Sequence, residues 1–145
     1  MAFQFTQTGA EIQDILDQVP ENTSDIASLN SGFTADTNPA AVSIASGTWT
    51  KVYEVTLAKG LWLIDYAATF PSNSTGYRGI AFAPSSSWSP TRDCIRIPAV
   101  SGAYTQPSGA RIIELNASAG MAIWAYQDSG SAQSVGPYIR YVRLR

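Results

Sequence analysis

Two aromatic side chains lie in polar loops, where a ring has little reason to be core. Trp88 falls within Ser85-Ser86-Ser87-Trp88-Ser89-Pro90-Thr91-Arg92, and Tyr104 within Ser101-Gly102-Ala103-Tyr104-Thr105-Gln106. Rings placed this way stack on sugars or anchor protein partners. Trp88, Arg92 and Tyr104 are therefore the candidate ligand or receptor contacts, with packing over a neighbouring loop or subunit as the competing role. Trp124 and Tyr126 share one face of Met121–Gln127 and read as core or interface. The terminal run Tyr138-Ile139-Arg140-Tyr141-Val142-Arg143-Leu144-Arg145 mixes cations with aromatics and reads as an edge or interface strand.

Other chemistry is poorly supplied. The chain has no histidine and one cysteine, so Ser–His–Asp and Cys–His nucleophilic arrangements are missing, as are His-based zinc sites. Neither Gly-x-Gly-x-x-Gly nor a P-loop pattern occurs, which removes the usual phosphate cradles. Two-carboxylate glycoside hydrolysis is left with only Glu54, Asp65, Asp93, Glu114 and Asp128 in the β-rich part, spread over separate strands and loops. Asp36 with Asn38, or Asp128 with loop carbonyls, offers oxygens to calcium, but turn roles suit these residues better. Cys94, in the strand-like run Asp93-Cys94-Ile95-Arg96-Ile97, reads as a buried, inert thiol. The sequence thus predicts a non-enzymatic protein without cofactor or metal.

The elements that must position these residues fall into two parts. Ile12, Val19, Ile26 and Phe33 recur every seven residues, and Ile15, Asn22 and Leu29 follow three residues after the first three of them. Such a stripe asks for partner helices. Thr8-Gly9-Ala10-Glu11 fits a capping box opening a helix to about Gln18, and Pro20 then breaks or kinks it. A second short helix over about Glu21–Asn30 keeps the seam in phase. Asn22 either fixes register within the seam or caps this second helix. The stem either pairs with copies of itself or folds back onto its own head.

Charge follows the same division. Residues 1–36 carry six acids and no Lys or Arg, a net of −6, whereas the remainder carries nine cations against five acids, a net of +4. The overall −2 offers no clustered basic face for nucleic acid. The first residues lack a cationic start and an apolar run, and no stretch reaches the ~18 apolar residues of a membrane span. The expectation is a protein made and folded in a cytoplasm, without membrane insertion. Asn-x-Ser/Thr matches at Asn22, Asn73 and Asn116 read as chance in a Ser/Thr-rich chain.

A polar linker over Thr34–Pro39 separates the stem, residues 1–36, from the head, residues 37–145. In the head the hydrophobic period becomes two. Strands are predicted over Val42–Ser46, Trp49–Leu57, Leu61–Phe70, Gly76–Ala83, Cys94–Val100, Arg111–Asn116, Met121–Gln127 and Ile139–Leu144. Short strands at this spacing imply an all-β sandwich or barrel. Trp62, Ile64, Tyr66, Ala68 and Phe70 form the expected core face of one strand, which puts Asp65 on the other face, in need of a partner if that face is a subunit interface.

Several segments carry a family resemblance. Gly47-Thr48-Trp49-Thr50, Val55–Ile64, Phe70-Pro71-Ser72-Asn73-Ser74-Thr75-Gly76-Tyr77-Arg78, Tyr126-Gln127-Asp128-Ser129-Gly130-Ser131 and the stem Thr8–Leu16 resemble head domains of tailed-phage and prophage fibre proteins. Those heads resemble the trimeric jelly roll of the complement C1q and tumour-necrosis-factor class. The resemblance implies a virion structural protein displayed on the particle surface. It also implies a homotrimer, held to other virion proteins through the stem and adhering to a bacterial surface glycan or protein. The alternatives are a purely architectural capsid or baseplate subunit, a secreted lectin-like protein and a cryptic glycosidase.

Overall fold

Alternation of β-branched and aromatic residues with small or polar ones makes strands that bury one face each. The computed structural model describes residues 35–86 and 93–145. Among these residues are nine strands: β1 (Ala35–Thr37), β2 (Val42–Ile44), β3 (Thr50–Leu57), β4 (Gly60–Thr69), β5 (Tyr77–Pro84), β6 (Ile95–Pro98), β7 (Ser108–Leu115), β8 (Ala119–Gln127) and β9 (Gln133–Arg143). The helical stem, with Ile12, Ile15, Val19, Asn22, Ile26, Leu29 and Phe33, lies outside the described residues, as do Trp88 and Arg92.

The strands form two antiparallel sheets. The first runs β1-β9-β4-β7, with β2 also on β9, and the second runs β3-β8-β5-β6. Every connection from β3 to β9 crosses between the sheets except the one joining β5 to β6. This interleaving is that of a jelly-roll-like β-sandwich. The eight predicted strands correspond to β2–β9.

Two departures have clear causes. Ala35–Thr37, expected as linker, forms β1, because Ala35, Asp36 and Thr37 find Tyr141, Arg140 and Ile139 of β9 as partners. β9 also begins earlier than predicted and runs through Pro137, a residue normally excluded from central strands. Here β2 pairs with Gln133–Val135 and β1 with Ile139–Tyr141, which leaves Pro137 in the gap between them. On the other side Ala68, its partner on β4, donates its amide to Pro107 O at 3.2 Å. Ala68 and Pro137 are therefore a non-hydrogen-bonded pair, and the missing amide hydrogen breaks no ladder.

The core lies between the sheets. Trp62, Ile64, Tyr66, Ala68 and Phe70 are all buried, against Ile80 and Phe82 of β5 and Ile123 and Ala125 of β8. The Tyr66 and Phe82 rings lie 5.6 Å apart across the sandwich. Trp62 satisfies its buried Nε1–H by donating to Ala58 O at 3.0 Å. On the outer face of β4, Asp65 stands in register with Arg140 of β9 and Ala110 of β7.

Candidate ligand-binding site

The second sheet carries an unusual outer face. Ile80 and Phe82 of β5 point inward, so Gly79, Ala81 and Ala83 point outward, and all three are buried nonetheless. They form a strip with almost no side chain of its own. Larger groups from the neighbouring strands stand beside it: Tyr126 and Trp124 of β8 lie opposite Gly79 and Ala81, and Arg96 of β6 lies opposite Gly79 on the other side.

Trp49, immediately before β3, completes the cluster. Its indole lies over Gly79, so close that a Cβ there would meet Cη2 at 2.9 Å. The Trp49 and Tyr126 rings are 5.3 Å apart and inclined by 35°. The Arg96 guanidinium carbon stands 5.7 Å from the Trp49 ring centre and 5.4 Å from that of Tyr126. A guanidinium shared by two rings gains cation–π attraction from both and loses side-chain freedom. Trp124 donates its Nε1–H to Pro84 O at 3.3 Å, which fixes the second indole near the other end of the strip. Tyr77, 53% exposed, heads the same strand.

The acids bordering this face are engaged. Asp128, just past β8, accepts the Tyr77 amide. Its carboxylate fills the space beside Gly76 (φ 74°), where a Cβ would collide with it. Glu54 on β3 pairs with Lys51, and the Lys51 hydrogen bond, helped by one from Ser85, lowers its pKa.

Behind the strip, Arg78 points the opposite way, into the sandwich, and is fully buried. Its Nη1 donates to Thr75 O at 3.2 Å and Tyr77 O at 2.9 Å, and its guanidinium lies 6.0 Å from the Phe70 ring. Burial lowers its pKa, and nearby Asp128 opposes that shift. Arg78 thus pins the β4–β5 turn to the start of β5.

Tyr104 is 74% exposed, on the loop between β6 and β7. That loop is held to the β4–β5 turn by reciprocal bonds between Phe70 and Thr105 (2.9 and 3.0 Å) and by the Gly102 amide donating to Ser72 Oγ at 2.9 Å. The turn reaches Asp128 through Gly76, so Tyr104 belongs to the Asp128 end of the sandwich. At the opposite end of the sandwich the Ser85 amide donates to Gly120 O at 3.0 Å.

Trp124 and Tyr126, read from the sequence as core or interface, are half-buried on the face away from the core. Their parity signals this, since Met121, Ile123 and Ala125 carry the inward positions of β8. Trp49, Gly79 and Arg96 carry no local sign of a site in the sequence, because only the register between separate strands brings them together.

No protein-family profile matches the chain, and no curated protein matches it. Among solved structures, it is similar to a carbohydrate-binding module of Cellvibrio mixtus lichenase 5A, solved in complex with cellotriose. The identity there is 20% and the TM-score 0.41, over 79% of this chain and 92% of that one. A second similar structure is a Bacillus endospore appendage protein from disulfide-linked pili, at 14% identity and TM-score 0.39, over 77% of this chain and 92% of that one.

Proposed function

We propose that the chain is a non-enzymatic recognition head that binds a bacterial surface glycan through the outer face of its second sheet. The observation that carries this reading is the Trp49–Arg96–Tyr126 cluster over Gly79. Tilted rings beside a strip of minimal side chains give a sugar ring an apolar platform for its C–H face, with a guanidinium at hand for its oxygens. The platform is built on strands and on the residue that directly precedes one of them, so little ordering entropy is lost on binding.

In this reading the head belongs to a phage or prophage fibre or spike, displayed on the virion as a homotrimer and joined to other virion proteins through its stem. Self-assembly is supported by the outer face of the first sheet. There Ile112, Leu63 and Val142 fall in one row across β7, β4 and β9, and Ile112 is 66% exposed. Three copies of a weak site on one rigid body raise avidity by roughly 10²–10⁴ over a single contact.

The test is binding of labelled full-length protein to bacterial cells and to their purified polysaccharides, with Trp49→Ala and Tyr126→Ala alongside. The expected result is loss of binding in both variants with the β-sheet circular dichroism retained. Wild-type protein that labels no cell or polysaccharide overturns the reading in favour of an architectural subunit.

A further inference from the structure

Arg96 is the cation of the proposed platform, and its surroundings bear on the chemistry of the ligand. We infer that the glycan is anionic, and that Arg96 receives a sugar-borne oxyanion, a carboxylate or a phosphate, beside the Trp49 and Tyr126 rings. This inference rests on the glycan-binding reading above and narrows it.

Arg96 is exposed, on the outer face of β6, yet among the described residues it faces no carboxylate within ion-pairing distance. Three other cations of the head have such partners, Lys51 with Glu54, Arg111 with Asp93 at 3.5 Å and Arg145 with Glu114 at 3.0 Å, while Arg78 and Arg143 donate to backbone carbonyls. The neighbouring acid, Asp128, is turned to the Tyr77 amide and the backbone at Gly76. Arg96 is held by two aromatic rings, which attract the charge without neutralising it.

Cation–π attraction at 5.4–5.7 Å from the ring centres draws on the guanidinium charge and needs none of its N–H groups as donors to an oxygen acceptor, so they stay available to a ligand. The edge of the guanidinium is a fork matched to two oxygens of a carboxylate or phosphate. The rings also restrict its motion before any ligand arrives, which lowers the entropic cost of the ion pair. A neutral sugar would use the same platform but offer the fork only uncharged oxygens, which it binds more weakly. Selection of acidic over neutral saccharides then comes from Arg96, and general affinity for sugars from Trp49 and Tyr126.

The experiment measures binding of the full-length protein to a panel of bacterial polysaccharides. The panel includes uronate-containing glycans, the same glycans after carboxyl reduction, and poly(glycerol phosphate) chains. Wild type, Arg96→Gln, Arg96→Lys and Trp49→Ala are compared at low and at physiological salt. The expected result is retention of acidic members, weakened by salt, with Arg96→Gln reducing that binding roughly 10- to 100-fold, as for loss of a charged hydrogen bond. Arg96→Gln should weaken binding to carboxyl-reduced glycans several-fold less than binding to acidic ones, and Arg96→Lys should fall between wild type and Arg96→Gln on the acidic ones, because it keeps charge without the fork.

The uronate and phosphate arms identify which oxyanion is bound. Equal loss of acidic and reduced glycans in Arg96→Gln would make Arg96 a prop for the rings and overturn the inference. Wild type that binds carboxyl-reduced glycans as tightly as the acidic ones, with Trp49→Ala abolishing both, would overturn the anionic inference and leave the glycan-binding reading intact. Retention of no member of the panel would overturn both.

Discussion

Gly79 lies directly beneath the indole of Trp49, with room for a hydrogen and none for a methyl group: a Cβ would stand 2.9 Å from Cη2 and 3.4 Å from the Tyr126 Cβ. Gly79→Ala therefore has to push the ring outward or tilt it. The expected outcome is a loss of about 1 kcal/mol in glycan affinity, several-fold in Kd. The β-sheet circular dichroism should be unchanged, because the contact lies outside the core. Titration calorimetry beside Trp fluorescence checks both.

Arg78 separates packing from charge. Its Nη1 has two carbonyl partners, whereas Nε and Nη2 are buried without one. Arg78→Met keeps most of the volume and removes the buried charge, so stability should stay within about 1 kcal/mol of wild type or rise. Arg78→Ala leaves a hole beside Phe70 and should cost roughly 2–5 kcal/mol. Urea unfolding of the two variants distinguishes these outcomes.

Tyr66 makes stability fall in alkali. Burial raises its phenol pKa above the ordinary value of about 10, against a smaller opposing effect of Arg111. The folded state then keeps a proton that the unfolded state has released. Its contribution is complete below pH ~10 and is lost as pH rises through the folded-state value. Tyr66→Phe should flatten the alkaline limb of a stability–pH curve; an unchanged limb would assign it to other groups.

Ile112 tests self-assembly. It projects from an edge strand of the first sheet and contributes little to the core, so Ile112→Glu should change monomer stability by less than about 0.5 kcal/mol. Its expected effect is on mass: light scattering of full-length protein should give a trimer for wild type and a smaller species for the variant.

The parts of this fold readable from sequence are those in which neighbours along the chain decide the outcome. Trp62 to Phe70 alternates so regularly that its core face, and the outward placement of Asp65, follow from pleat alone. β1 is unreadable in this way. Ala35-Asp36-Thr37 has no hydrophobic alternation, and it becomes a strand only because β9, about a hundred residues later, offers a free edge. Pro137 and Gly136 signal a turn, and the split pairing of β9 overrides them. The site divides similarly. Parity alone sets Trp124 and Tyr126 apart from the core positions of β8. The meeting of Trp49, Gly79 and Arg96 depends on registers between distant segments, which no local pattern encodes.

The pairing of β1 with β9 also sets how the head responds to mechanical load. Ala35 lies opposite Tyr141, near the Arg145 end of the chain, while the loop bearing Tyr104 is at the far end of the sandwich. Tension applied at the Ala35 end along the strand axis would pull β1 lengthwise along its partner. The bonds joining the two strands are then strained together in shear rather than opened one after another. On the proposed reading, a head tethered through its stem would resist detachment of its first strand under load at its opposite end.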